Sequence, residues 1–136
     1  MDFRRPFCLS LLSLLLLMAP LSSLAEDTGV KVLEMAVTTR IVRGNPLDAV
    51  RRISSASAKA LYCHTLVSVP DEAPREISHV WLLNGQVAAN YTLPVRGPRW
   101  RTFSKKWISK GMEGLWRVEA RDSEGRLLKS AEFRVN

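Results

Sequence analysis

The chain is poor in the residues that reactive chemistry uses most. It has two cysteines and two histidines in 136 residues, too few for a disulfide-dense scaffold or a histidine-built metal cage. GxSxG, P-loop and HExxH motifs are absent, as are paired carboxylates placed for acid–base work. No catalytic residue, metal or cofactor is therefore expected. One apolar run stands out, the leucine-rich stretch Leu9–Met18, and it falls short of the roughly 20 residues a membrane span needs. There is no internal repeat and no heptad pattern. Between Ile77 and Met112 there is not a single Asp or Glu.

What is present begins with a leader. Arg4 and Arg5 precede the leucine run, and Ser23-Leu24-Ala25 places small residues at the −3 and −1 positions of a cleavage site. Residues 1–25 read as a secretory signal peptide cleaved after Ala25, delivering residues 26–136 to the periplasm without a stable membrane span. Arg4, Arg5 and Asp2 leave with the leader, which lowers the formal charge of +7 by one. Cys8 leaves too, so Cys63 is the one cysteine of the exported chain. A lone thiol in an oxidising compartment must be buried, paired with another chain, or reactive.

The remainder reads as one all-β domain. Short β-rich runs cover 30–42, 61–69, 77–83, 86–95, 99–108, 115–121 and 126–135, separated by Gly, Pro, Asn and Asp. In the first, Val30, Val32 and Glu34 are expected on one side, with Leu33, Met35 and Val37 on the other. Asn84-Gly85 between apolar runs signals a two-residue hairpin turn, because a type I′ turn needs positive φ at both central residues. Asn45 as N-cap, Pro46 at the first helical position and Asp48 in the first turn predict a short helical turn near residues 46–53. Seven strands at such spacings predict an immunoglobulin-like antiparallel β-sandwich.

Tryptophan and charge are both unevenly spread. All four tryptophans lie between Trp81 and Trp116, and the acid-free window carries Arg96, Arg99, Arg101, Lys105, Lys106 and Lys110. Alternation puts Arg99, Arg101, Phe103, Lys105 and Trp107 on one face of their strand, and Trp100, Thr102, Ser104, Lys106 and Ile108 on the other. Burying the second face costs less, since unpaired charge is expensive in a core. Lys106 must then let its stem pack while its ammonium reaches water. The exposed face would be a cation ladder, with Arg99, Arg101 and Lys105 as anion-binding candidates and Trp107 as a stacking neighbour. His79, Trp81 and Lys106 are secondary candidates. Against this stands the plainer reading of a solvated, charge-protected strand.

The expected function is a non-catalytic exported binding or accessory module for an anionic envelope polymer, a lipid headgroup or an acidic envelope protein. Nucleic acid is not expected, because export removes the usual targets. One alternative is a structural module that docks on an envelope partner through a sheet edge or apolar patch. A weaker one is an enzyme using Cys63 or His79. Cys63 and His64 cannot form a dyad with each other, since neighbouring side chains of a strand point to opposite faces. Oligomeric state is not legible.

Ser78-His79-Val80-Trp81, Asn84-Gly85, Arg99-Trp100-Arg101-Thr102, Ser104 and Lys106 together resemble a bacterial domain-of-unknown-function family, number twenty-nine fourteen. The resemblance continues through Gly114-Leu115-Trp116-Arg117-Val118-Glu119, Asp122, Gly125 and Phe133, and includes Ile41, Pro46, Leu47 and Asp48. It spans about Val30 to Val135. Phe103 stands where the family often has tryptophan, and Cys63-His64 where an aromatic is common. The resemblance implies an exported domain or one attached to a membrane segment, and it brings no activity.

Overall fold

The computed structural model describes residues 27–136. The expected leader, its cleavage site and Cys8 lie outside the described residues. Seven strands of eight to ten residues form two facing sheets: β1 (Lys31–Thr38), β5 (Lys59–Ser68), β6 (Arg75–Leu83), β7 (Gln86–Val95), β8 (Arg99–Ile108), β9 (Gly114–Asp122) and β10 (Leu127–Val135). Three two-residue pieces complete the set: β2 (Ile41–Val42), β3 (Asn45–Pro46) and β4 (Arg52–Ile53). One sheet has the order β1-β5-β8, the other β4-β10-β9-β6-β7, and β2-β3 is a separate hairpin. The long strands pair antiparallel, while β4 runs parallel to β10. This is the expected all-β sandwich.

The alternation of each strand decides what the sheets bury. Cys63 and Val67 of β5 face inward, as do Ile77 and Trp81 of β6, Trp116 and Val118 of β9, and Phe133 and Val135 of β10. Trp81 lies edge-on to both Trp116 and Phe133, which stack on each other with ring centroids 5.9 Å apart. Such contacts add to the area these large rings remove from water. A second apolar cluster gathers Val30, Val67, Val69, Ile77 and Val95. Between the two clusters along β5 and β6 sits a polar layer of Thr65 and His79.

The helical turn expected near 46–53 does not form, and among the described residues there is no helix. Arg43 and Gly44 both take positive φ, 50° and 77°, and make a two-residue turn between Val42 and Asn45. Pro46 then pairs with Ile41 in β3. Asp48, instead of closing a first helical turn, accepts the Thr38 hydroxyl (2.6 Å), the Thr39 N–H (2.8 Å) and the Thr39 hydroxyl (2.6 Å). The Val50 N–H donates to the Val37 carbonyl at 2.7 Å. Backbone groups a helix would have used internally are taken by β1, so tertiary bonds override the local capping signals.

The expected sidedness of the first strand also changes. A bulge at Leu33 lets Val32 pair with Val67 and Glu34 with Leu66. Paired residues share a face, so Val32 turns inward and Glu34 outward, on opposite faces rather than the same one. The Asn84-Gly85 turn forms as its residues dictate, with φ of 49° and 81°.

Candidate functional site

β8 is the edge strand of the three-stranded sheet, and its faces sort as alternation requires. Ser104 and Ile108 are buried, whereas Arg99, Arg101, Phe103, Lys105 and Trp107 are exposed, Phe103 at 47% and Trp107 at 54%. β5 supplies the floor beside them: Leu66 pairs with Arg101, His64 with Phe103, Tyr62 with Lys105 and Ala60 with Trp107. The Tyr62 and Phe103 rings meet edge to face at 5.7 Å. The face therefore carries cations in a row with a tyrosine, a phenylalanine and a tryptophan between and beside them.

Its charges are not all equivalent. Arg101 Nη1 lies 3.6 Å from Glu34 Oε2, a carboxylate that the bulge in β1 brings to this side. Arg99 and Lys105 form no ion pair with any described residue. The outer face of the other sheet is neutralised in part, although Arg52 and Arg134, side by side there, form no ion pair with any described residue. There Glu119 bridges Arg117 and Arg121 at 3.2 and 2.9 Å, and Glu132 lies 3.6 Å from Arg117. What sets β8 apart is that its cations share one strand face with the exposed Phe103 and Trp107 rings.

The tip of the β2–β3 hairpin folds over one end of this face. A methyl group added at Gly44 would lie 3.7 Å from Arg101 Cδ. Beneath it His64 is 1% exposed, although its strand position points it away from the sandwich core. Burial lowers its pKa, and Arg101 adds to the effect, while the Gly44 carbonyl and Glu34 favour the charged form. The sequence reading did not place Tyr62, His64 and Glu34 on this face. The alternation of 60–68 contained the signal for the first two, whereas the Glu34 contact depends on a bulge.

The secondary candidates divide. His79 and Trp81 are fully buried. His79 Nε2 lies 3.1 Å from the Thr65 hydroxyl and Nδ1 2.8 Å from the Ser104 hydroxyl, and Trp81 Nε1 donates to the same Ser104 oxygen at 3.0 Å. Lys106, paired with Leu61 on the core side, is half-buried and turns its Nζ to the Trp107 carbonyl at 3.4 Å.

Cys63 is likewise enclosed, among Val37, Leu61, Trp81 and Ile108, and burial pushes its thiol pKa far up. Among the described residues no three His, Cys, Asp or Glu side chains gather as metal ligands. A cleft of about 580 Å³ is lined by Val30, Pro74, Arg75, Pro94, Arg96 and Ser123, away from the outward residues of β8. Its central cation is already committed, since Arg75 donates to the Thr28 carbonyl at 2.6 Å and to both Asp71 oxygens at 2.9 Å.

Comparison with known proteins follows the fold. An immunoglobulin-like protein from Pseudomonas aeruginosa superposes with a TM-score of 0.56 at 12% identity, over 82% of this chain and 98% of that one. An alkylpurine DNA glycosylase from Pseudomonas fluorescens, solved bound to DNA with an abasic-site analogue, gives 0.50 at 14% identity, over 82% of this chain and 31% of that one. A CARDB domain from Pyrococcus furiosus gives 0.49 at 11% identity, over 79% and 94%. At such identities the likeness is one of fold alone. No match was found among curated proteins. Several residues that carry the family resemblance prove to be core or turn residues, His79, Trp81, Ser104, Trp116, Phe133 and Asn84-Gly85 among them. The resemblance itself holds from the β5–β6 turn to the last strand: residues 74–135 match the family described as "Protein of unknown function (DUF2914)".

Proposed function

We propose that this chain is a non-catalytic, exported binding module whose β8 face takes an anionic component of the cell envelope. The observation that carries this reading is the row of exposed cations and aromatic rings on one face of β8. Arg117 and Arg121 are neutralised by Glu119 and Glu132, while Arg99 and Lys105 stand in a row with exposed Phe103 and Trp107 and have no carboxylate partner. Guanidinium and ammonium groups on an extended strand meet phosphates or carboxylates spaced along a ligand, and the aromatic rings offer flat apolar contact between them. Burial of Cys63 and His79 argues against an enzyme built on either. Export to the periplasm rests on the leader in the sequence.

The test is affinity capture from an envelope extract, at low and at moderate salt. The control is an Arg99→Glu, Lys105→Glu variant, which leaves the Arg101–Glu34 pair intact. Exposed charges are screened within a Debye length of about 8 Å at physiological salt, so capture should weaken as salt rises and vanish in the variant. Capture indifferent to both would move the site off β8.

A further inference from the structure

His64 is a titratable side chain buried on the wrong side of its strand. It lies on the outer face of β5, paired with Ala36 of β1 and Phe103 of β8, and is 1% exposed. Its cover is the β2–β3 hairpin, a two-stranded piece that belongs to neither main sheet. The Gly44 carbonyl approaches the ring, yet neither Nδ1 nor Nε2 makes a hydrogen bond of ordinary geometry. A polar group enclosed in this way works against the closed arrangement.

The hairpin is fastened at its base and loose at its tip. The Leu47 N–H donates to the Arg40 carbonyl at 2.9 Å, and Asp48 accepts the hydroxyls of Thr38 and Thr39 at 2.6 Å each. The tip residues Val42–Asn45 are exposed, and among the described residues their hydrogen bonds run within the hairpin, as from Asn45 Nδ2 to the Arg43 carbonyl. Arg43 also holds a left-handed φ of 50°, which costs a residue other than glycine. We propose that the β2–β3 hairpin is a lid over the Arg101 end of the β8 face, and that proton uptake by His64 lifts its tip.

The groups around His64 set the direction. Burial lowers its pKa most; Arg101 of β8 also opposes a proton on the ring, while Glu34 of β1 favours one. Glu34 is shared, since it lies 3.6 Å from Arg101. Lys105, paired with Tyr62 on the same face, and Arg43 at the tip add positive charge, and His79 feels the charge of His64 from the core. With the tip down, a protonated ring is an enclosed cation with one carbonyl for two N–H donors. With the tip raised, water solvates both. Above the ordinary value of 6.5 the ring is neutral in either position and the lid stays down. Below it the raised position takes up the proton more readily, so the lid lifts as pH falls. The base does not follow, because hydrogen bonds from Thr38 and Thr39 hold the Asp48 carboxyl below its ordinary value. Lifting leaves an imidazolium beside Arg101 and so adds a cation to the row, whatever the face binds.

The experiment places a nitroxide on the tip through Asn45→Cys, in protein purified from cells expressing the full chain. Cys8→Ser keeps residue 8 unlabelled, and Cys63 is fully buried. Broadening of the Thr102–Ser104 amide signals, relative to the reduced label, is followed from about pH 7.5 to about pH 4 together with the His64 ring signals. The broadening should be strong at the start and lost as His64 takes up its proton, the two changes sharing one midpoint. His64→Leu, which takes up no proton, should keep the broadening through that midpoint. Should this variant fail to fold, the shared midpoint in the parent decides alone. Broadening that is unchanged across the range overturns the inference. So does a loss that persists in His64→Leu, or one that follows His79, whose pKa is about 4, instead of His64.

Discussion

His79 Nδ1 and the Ser104 hydroxyl lie 2.8 Å apart and join the five-stranded sheet to the three-stranded sheet through the middle of the core. The Thr65 hydroxyl holds the other ring nitrogen at 3.1 Å, so a neutral imidazole, donating from one nitrogen and accepting at the other, satisfies both. Trp81 Nε1 completes the layer by donating to Ser104. The sheets are thus pinned in register by four side chains, with apolar clusters on either side.

Removing Ser104 tests this link. Ser104→Ala leaves one histidine nitrogen and the Trp81 N–H without a partner in a dry core. Each orphaned group costs about 1–3 kcal/mol. A loss of roughly 2–4 kcal/mol in denaturant unfolding is expected, while Ser109→Ala, at a half-buried residue outside this layer, should cost much less. Equal and small losses would show that the layer contributes little.

The same layer makes stability depend on pH. Burial, assisted by the charge of His64, lowers the His79 pKa from 6.5 to about 4. The folded state keeps the ring neutral while the unfolded chain takes up a proton below 6.5. Stability is therefore full above that value and is lost as pH falls from 6.5 toward 4, by up to about 3 kcal/mol. Urea midpoints between pH 7 and 4 would measure the slope. His79→Gln should reduce it, leaving the part that the buried His64 contributes with the same sign, and an unchanged slope in that variant would assign the whole effect elsewhere.

Cys63 should react only when the fold opens. Its side chain is fully buried and its thiol is held protonated by that burial. An alkylating probe should label it slowly in native buffer and quickly in denaturant at the same pH. Rapid native labelling would contradict the enclosed site and revive a reactive thiol.

Gly114 and Gly125 differ both in backbone strain and in the space around them. Gly114 has φ of +140°, and a Cβ there would lie 2.6 Å from Asn84 Oδ1, the atom that accepts the Leu115 N–H at 3.0 Å. Gly125 has φ of +78° and open space around it. Gly125→Ala should cost about 1 kcal/mol for the left-handed backbone alone. Gly114→Ala should cost more, because φ of +140° lies outside the left-handed well and because the Cβ also displaces the side chain that ties the β6–β7 turn to β9. Thermal unfolding of the two variants compares them directly, and equal losses would remove both the added strain and the collision at Gly114 from the account.

Much of this molecule is legible residue by residue. Asn84-Gly85 announces its hairpin because few residues other than Asn and Gly accept two successive positive φ angles. Alternation in 99–108 separates cations from Ser104 and Ile108 because a strand has two sides and charge resists burial. The 45–53 segment shows where such reading stops. Asn45, Pro46 and Asp48 have the spacing of a helix start, yet Asp48 finds Thr38 and Thr39. Those residues are adjacent only after β1 has formed.

The candidate face divides in the same way. That Arg99, Arg101, Lys105 and Trp107 share one side of a strand is a matter of local geometry, and the sequence by itself determines it. That Arg101 meets Glu34 and that a hairpin tip covers His64 are decided by the tertiary structure. A strand's own period of two says which side chains point together. Which strand lies beside it, and whether a bulge turns an acid toward it, depends on free energy summed over both sheets, which no short window contains.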